Sequence, residues 1–475
     1  MARLALVDMR RNNPCMLFTP ITLNQTRIEN RIVLPAMVTR LSGEDGHINE
    51  DITARYLRFA RGEVGLIIIE AMAVHASKSG PLLRMNADEF IPEHTELARR
   101  IHNTSPSKVF PQIIHFLKIA RSGWRQTVDM LSLEEIDGIV EAYGQAAARA
   151  RTCGYDGVEL HMAHAYTLSS FLSRRNPRRD GYGGSLENRL RLPLRVIEKV
   201  RASVGADFCV GLRFDGEECI KGGYTSVESR VMALRFAQAG INYISVSAGG
   251  KFEDALPKAG HPLYPYTGYS GDRCMPSVAY PDGVNRPIPA AIKRYLVENG
   301  FGTPVLSAGK INTPELANEV LASGEADLIG MARPLLADPD WPRKVRDGHW
   351  DKVVRCCYAN VCKALDENFQ KVRCFLWPKG AINAPESSDR IGPVWPTGGA
   401  GLSASWKNGR IALAWKAASD NEAVYGYDVF RREVLGGEAA GASAYFRRVT
   451  AVPSGVSSYN FSEGVSGVGY VYYVT

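Results

Sequence analysis

The chain has no run of about eighteen consecutive apolar residues, so it contains no segment of the kind that crosses a bilayer as a helix. Its first residues, Met1-Ala-Arg-Leu-Ala-Leu-Val-Asp-Met-Arg-Arg, lack the long apolar stretch and small-residue cleavage site of a secretory signal. Cysteine is sparse and odd in number, nine among 475 residues, which points to a reducing compartment; the cytoplasm is the expected location. Neither sign of charge dominates. The net charge is +7, and the basic residues are scattered apart from Arg174-Arg175 and Arg178-Arg179, so no nucleic-acid-binding stripe is present. A dinucleotide-binding half is missing as well. Gly464-Val-Ser-Gly-Val-Gly lies between β-like runs with no helix behind it, and the fingerprint requires that helix.

What is present is an ordinary globular composition, 45% hydrophobic, 23% charged and 9% aromatic. The length is too great for one core and predicts two or three domains. From Arg31 to about Gly348 short β-rich runs alternate with longer amphipathic ones. The predicted strands begin at Ile32, Gly65, Val109, Gly157, Phe208, Tyr243, Pro304 and Asp327. Leu133 to Tyr143 carries apolar residues at helical spacing behind Ser132, a good N-cap, and Thr313-Pro314 opens another helix. Eight β/α units over about 320 residues predict an α/β fold of the TIM (β/α)8 type, with its site at the C-terminal strand ends. The Gly-, Pro- and Tyr-rich stretch from Gly249 to about Pro289, with Tyr264, Tyr266, Tyr269 and Tyr280, interrupts the rhythm. A loop that long is expected to wall a pocket or form a subunit contact.

The most informative stretch runs from His161 to Arg191. It begins where the strand Asp156-Gly-Val-Glu-Leu160 ends, and sets His161, His164 and Tyr166 at the mouth of the barrel. Two imidazole N–H donors aimed at one point hold a carbonyl oxygen while charge develops on it. A nearby phenol delivers a proton to the carbon beyond. That is equipment for reducing a carbon–carbon double bond conjugated to a carbonyl, given a hydride source. An H-x-x-H pair alone reads equally as a metal site or as two satisfied core histidines. Tyr166 and the downstream Asp180-Gly-Tyr-Gly-Gly-Ser-Leu-Glu-Asn-Arg189 run favour the carbonyl reading.

This grouping resembles the Old Yellow Enzyme family of FMN-dependent ene-reductases, in the branch that includes 2,4-dienoyl-CoA reductase, from about Leu17 to about Gly380. The resemblance implies an FMN cofactor, NAD(P)H as reductant, and catalytic roles for His161, His164 and Tyr166. The phosphate would sit on glycine-bearing loops after the last two strands, Ser307-Ala-Gly-Lys310 and Gly330-Met-Ala-Arg333. Its ligands would be Gly309, Lys310, Gly330 and Arg333. Arg213 would face the flavin N1/O2 edge, where the reduced ring is negative. Gln112 would bond the pyrimidine edge, Pro35, Ala36 and Met37 would line the ring, and Ala71 would pack nearby. Taken singly, the glycines read as turn residues and Arg213 as a buried ion-pair partner. Val38 departs from the family, which often carries Cys, Thr or His there; a side chain without a hydrogen bond should shift the flavin potential.

Dienoyl-CoA reductase relatives also carry C-x2-C-x3-C-x11-C, four thiolates for a [4Fe-4S] cluster. Here Cys362 and Cys374 keep the last spacing, but the first two positions fall on Arg355 and Tyr358, or on Cys356 and Ala359 after a one-residue deletion. A cluster on Cys356, Cys357, Cys362 and Cys374, no metal, and a zinc site all stay open.

Four segments are therefore predicted: an N-terminal extension over 1–16, an FMN-binding barrel with its cysteine-containing tail over 17–380, a linker over 381–405, and a small all-β sandwich over 406–475. Trp415, Tyr425-Gly-Tyr-Asp-Val-Phe-Arg-Arg432 and Tyr470-Val-Tyr-Tyr-Val474 look like a fibronectin type III domain. Such a domain would still need its last strand at Thr475, so a truncated sandwich with an unpaired edge is expected. The expected partners are a small unsaturated carbonyl or acyl-CoA substrate, a redox protein, and further copies of the chain, with no nucleic acid or membrane. Two competing functions stand beside ene reduction: a flavin amine dehydrogenase or demethylase, and a binding scaffold on a vestigial barrel.

Overall fold

The computed structural model describes residues 16–77, 80–118, 125–251, 269–386, 402–407, 410–417, 426–434, 447–453, 458–461 and 469–474. The N-terminal extension up to residue 15, Tyr264 and Tyr266 of the long loop, most of the expected linker and the Gly464 run lie outside the described residues. The chain divides into two compact units. The first comprises 1–275, 282–356 and 360–384; the second comprises 276–281, 357–359 and 385–475.

In the first unit a hairpin, β1 (Ile21–Leu23) and β2 (Thr26–Ile28), precedes eight parallel strands. These are β3 (Ile32–Leu34), β4 (Leu66–Ala73), β5 (Lys108–Ile114), β6 (Gly157–Met162), β7 (Cys209–Asp215), β8 (Tyr243–Ser247), β9 (Val305–Ala308) and β10 (Leu328–Gly330). They close in sequence order, β10 pairing with β3, so the TIM-type (β/α)8 fold is present with every predicted strand in place. Helices lie between the strands where the caps are. Ser132 Oγ accepts the Glu135 N–H while the Glu135 carboxylate accepts the Ser132 N–H, a full capping box opening the helix Leu133–Thr152. Thr313 Oγ1 accepts the Leu316 N–H at 3.2 Å to open Pro314–Ala322. No helix among the described residues is long and apolar enough to cross a membrane.

Strands covered on both faces are apolar throughout, because alternate residues serve different cores. Leu66 and Ile68 join Val33, Phe110, Tyr243, Leu306 and Leu328 inside the barrel. Ile67 and Ile69 pack outward with the helices. The hairpin, whose three-residue strands left little trace in the pattern, plugs the N-terminal end. Leu23 and Ile28 complete the inner cluster. Asn24, at φ 54° in the two-residue turn, donates from Nδ2 to the carbonyls of Ala206 and Asp207 just before β7. Thr26 Oγ1 donates to the Asp156 carbonyl just before β6.

The second unit contains two three-stranded antiparallel sheets. One is ordered β11 (Ser403–Lys407), β12 (Arg410–Ala414), β15 (Ser458–Phe461); the other β14 (Arg447–Pro453), β13 (Gly426–Val434), β16 (Gly469–Val474). Ile411, Leu413 and Trp415 are buried in alternation, the signature of a strand with one face inward.

Leu23 is fully buried at the closed end of the barrel. Leu23→Ala is expected to lower stability by about 2–5 kcal/mol through the cavity it leaves, measured as a drop in the denaturation midpoint. An unchanged midpoint would mean that the hairpin is no plug.

Candidate active site

The site is assembled by strand register. His161 on β6 pairs with Arg213 on β7, which pairs with Ser245 on β8. Two residues earlier on β6 and β7, Glu159 pairs with Gly211, and the row continues through Gln112 on β5 to Ala71 on β4. Side chains two apart on a strand share a face, so Glu159 and His161 point the same way, as do Gly211 and Arg213. In β7 every residue is buried except Arg213, which is partly exposed. Its Nη1 donates to the Ala36 carbonyl at 3.4 Å, joining β7 to the segment after β3.

After β6 the backbone turns sharply. His164 (φ 63°) and Ala165 (φ 62°) both occupy the left-handed region, which disfavours side-chain-bearing residues by roughly 1–2 kcal/mol each. Surrounding bonds impose it. The His164 N–H donates to Asp215 Oδ2 at 2.7 Å, and Ser169 Oγ donates to the same oxygen at 3.0 Å. His164 Nε2 meets Ser247 Oγ at 2.7 Å. Gly250 packs on this turn so closely that a Cβ would lie 2.4 Å from His164 Cα. Tyr166 follows at the N-cap of the helix Thr167–Leu172.

The turn brings the three predicted side chains together. The His161 ring lies 5.1 Å from that of His164 and 5.2 Å from that of Tyr166, edge-on to both. His161 Nδ1 accepts the Ala163 N–H at 3.2 Å, which leaves Nε2 as the protonated nitrogen of the neutral ring. Burial, then the charges of Arg213 and Lys251, hold His161 down at about 3. Burial, with Arg213, His161 and Lys251, holds His164 far below the usual histidine range. Both rings are therefore neutral near pH 7, each with a single N–H. Burial pushes Asp215 well above the usual carboxylate range, although the His164 N–H, the Ser169 hydroxyl and Arg213 pull it back.

Four participants were missed by sequence reasoning: Lys251, Asp215, Ser247 and Glu159. Lys251 Nζ donates to Tyr166 Oη at 3.2 Å. Glu159 is buried in the barrel and accepts from Gln112 Nε2 at 2.6 Å and from Tyr243 Oη at 2.8 Å, so it orients Gln112. An acidic residue inside an otherwise apolar strand is the trace that could have marked Asp215 and Glu159.

The remaining predicted cofactor residues also lie at C-terminal strand ends. Pro35, Ala36 and Met37 follow β3; Ala71 sits where the β4 register shifts. A Cβ on Gly330 would come within 3.0 Å of Ala308 Cβ and Pro35 Cγ, so close packing of β9, β10 and the segment after β3 requires glycine. Gly309 (φ 120°) and Lys310 (φ 58°) are consecutive positive-φ residues after β9. Lys310 Nζ lies 3.5 Å from Asp282 Oδ1. Burial lowers the Lys310 ammonium and the neighbouring Arg333 charge lowers it further, while Asp282 opposes them. A phosphate between two like charges relieves that repulsion. Together with Arg213 and Gln112 the donor set fits a flavin mononucleotide.

Among the described residues no group of three or more His, Cys, Asp or Glu gathers as metal ligands do, so Cys356, Cys362 and Cys374 form no such set. Cys357 falls in the second compact unit.

The profile of the NADH:flavin oxidoreductase / NADH oxidase family matches residues 16–130, 118–261 and 288–352. An NADH oxidase of Thermoanaerobacter brockii is 31% identical over 404 residues, 80% of this chain and 58% of that protein. A cinnamate reductase of Clostridium sporogenes is 30% identical over 403 residues, 76% of this chain and 57% of that protein. The chain thus spans less than three fifths of the length of these relatives. Among solved structures, 2-naphthoyl-CoA reductase in complex with 2-naphthoyl-CoA superposes with a TM-score of 0.65 at 23% identity, over 76% of this chain and 56% of that one. That is a likeness of fold.

The neutral histidines have a consequence for stability. His161 titrates at about 3 folded and near 6.5 unfolded. Between those values the unfolded chain binds more protons, so stability falls as pH drops through the window, by about 1.4 kcal/mol per pH unit. His161→Gln is expected to flatten this acid slope, measured by denaturation midpoints across pH. The same slope in both proteins would count against a neutral buried His161.

Proposed function

Because the chain belongs to the NADH:flavin oxidoreductase / NADH oxidase family, we propose that its barrel is an FMN-dependent ene-reductase acting on an α,β-unsaturated carbonyl or 2-enoyl thioester, with NAD(P)H as reductant. Residues 17–380 would form the catalytic domain and 406–475 a separate fibronectin type III-like module. Gly309, Lys310, Gly330 and Arg333 would hold the FMN phosphate, Arg213 and Gln112 its pyrimidine edge, and Pro35, Ala36, Met37 and Ala71 the ring. Reduced FMN, when bound, supplies the hydride that the β-carbon takes up.

The chain's own groups do the rest. His161 Nε2–H, its tautomer set by the Ala163 N–H, donates to the carbonyl oxygen. His164, joined to Ser247, completes the cradle. A neutral imidazole is a better partner than an imidazolium for a step that must later release the oxygen uncharged. Fixed donors of this kind stabilise developing enolate charge without reorganising. Tyr166 Oη then gives its proton to the α-carbon.

The observation that carries this reading is the edge-on packing of Tyr166 and His164 on His161, with ring centroids 5.2 and 5.1 Å away. This grouping of two imidazoles and a phenol at the end of β6 supports reading them as two donors and an acid. An amine dehydrogenase would have to admit an amine, cationic before it binds, beside Arg213 and the Lys251 ammonium. The charge arrangement disfavours it. The name of the cinnamate reductase relative fits an aryl-substituted alkene conjugated to a carboxyl group.

Tyr166→Phe is expected to slow the oxidative half-reaction with an enone by about 10²- to 10⁴-fold. Reduction of the flavin by NAD(P)H should be nearly unchanged. Stopped-flow absorbance resolves the two half-reactions. Equal losses in both would remove Tyr166 from the acid role.

A further inference from the structure

We propose that Lys251 is a positioning residue for proton delivery: its ammonium, 3.2 Å from Tyr166 Oη, orients the phenol and stabilises the phenolate left when the proton moves to the α-carbon. The inference rests on the reading of Tyr166 as the acid. In that step the Tyr166 O–H bond breaks and a C–H bond forms at the α-carbon. The phenolate charge is held by Lys251 until water returns a proton.

Lys251 reaches this position from a strand far from Tyr166 in sequence. It lies just past β8, where Gly249 adopts φ 68° and donates its N–H to the Glu217 carbonyl at 2.8 Å. The Gly250 N–H donates to Ser270 Oγ at 2.9 Å. Gly250 also bridges His164, and the Lys251 N–H donates to the His164 carbonyl at 3.4 Å. The lysine backbone is therefore fastened to the very turn that presents Tyr166. Its Nζ lies 5.2 Å from the Tyr166 ring centroid, within the range where a cation is drawn to an aromatic ring.

The surrounding charges keep the lysine protonated. Burial disfavours its charge, but Tyr166, Glu367 and Asp366 raise it above the usual lysine range. Both acids come from the end of the helix Val361–Glu367. Asp366 is engaged by Arg40 Nε at 2.8 Å, whereas Glu367, pushed up to about 7 by burial, is drawn down by Lys251, Lys363 and Arg40 and pushed up by Asp366. Lys363 lies 3.5 Å from Asp272. The neutral rings of His161 and His164 also feel Lys251 and Arg213. The segment whose cysteines do not gather as metal ligands supplies, in its helix, the counter-charge for this lysine.

The test compares Lys251→Met, Lys251→Arg and Tyr166→Phe in the full chain loaded with FMN, in the oxidative half-reaction with an enone across pH. Lys251→Met should slow that half-reaction by about 10- to 100-fold and move its alkaline limb to higher pH, since nothing then draws the proton from the phenol. Lys251→Arg, which keeps the charge, should restore most of the rate and return the limb toward its original position. A Lys251→Met protein with an unmoved limb, or with an undiminished rate, overturns the proposal. So does an arginine variant that behaves like the methionine one. If Tyr166→Phe itself leaves the half-reaction unchanged, the acid reading fails; if Tyr166→Phe is slow and Lys251→Met is not, only the role of Lys251 fails.

Discussion

The hydrogen bond from the His164 N–H to Asp215 Oδ2, 2.7 Å long and sealed from water, holds a backbone that would otherwise relax. Two consecutive non-glycine residues in the left-handed region are unfavourable by themselves. Asp215 makes the turn the better solution by accepting from both His164 and Ser169. Each of these two hydrogen bonds is worth about 0.5–1.5 kcal/mol, and together they offset much of the strain of the turn. Because this turn carries His164 and leads into Tyr166, directly beyond His161 on β6, one acidic side chain on β7 fixes how the three rings meet.

That acidic side chain belongs to a pattern. The barrel interior carries apolar residues at its closed end and polar ones toward its mouth, as Leu66, Ile68 and Phe110 give way to Gln112, Glu159 and Tyr243. Glu159 is buried and raised by burial, with Arg213, Tyr243 and Gln112 opposing the rise. A buried carboxylate with two donors is tolerable where one with none would not be. The network leaves the Gln112 amide with a fixed orientation toward the mouth. Rigidity there comes from hydrogen bonds on parallel strands, which cannot shift without breaking register.

The same burial decides the charge of the site. Histidine in water titrates near 6.5, so an H-x-x-H pair read in isolation permits cationic donors. Enclosed beside Arg213 and Lys251, both rings are neutral, and the positive charge at the mouth belongs to the arginine and the lysine. The division suits the reading of the barrel as an ene-reductase, in which neutral N–H donors hold an oxygen and the cations lie beside the groups that become negative.

The sequence by itself determined the barrel. Its eight strands are apolar runs with alternate residues serving two cores, and its helices begin at caps such as Ser132 and Thr313, so both periodicity and capping are local properties that a one-dimensional pattern records. The same holds for His161, His164 and Tyr166, which are neighbours in the chain as well as in space. The hairpin of Leu23 and Ile28 escaped notice because three-residue strands are too short for a period to register. Only the tertiary structure decided the tautomer and charge of the histidines and the clamp from Asp215. It alone brought Lys251 to Tyr166 across 85 residues of chain. Such contacts arise from the register between strands, and strand register depends on every intervening residue folding first.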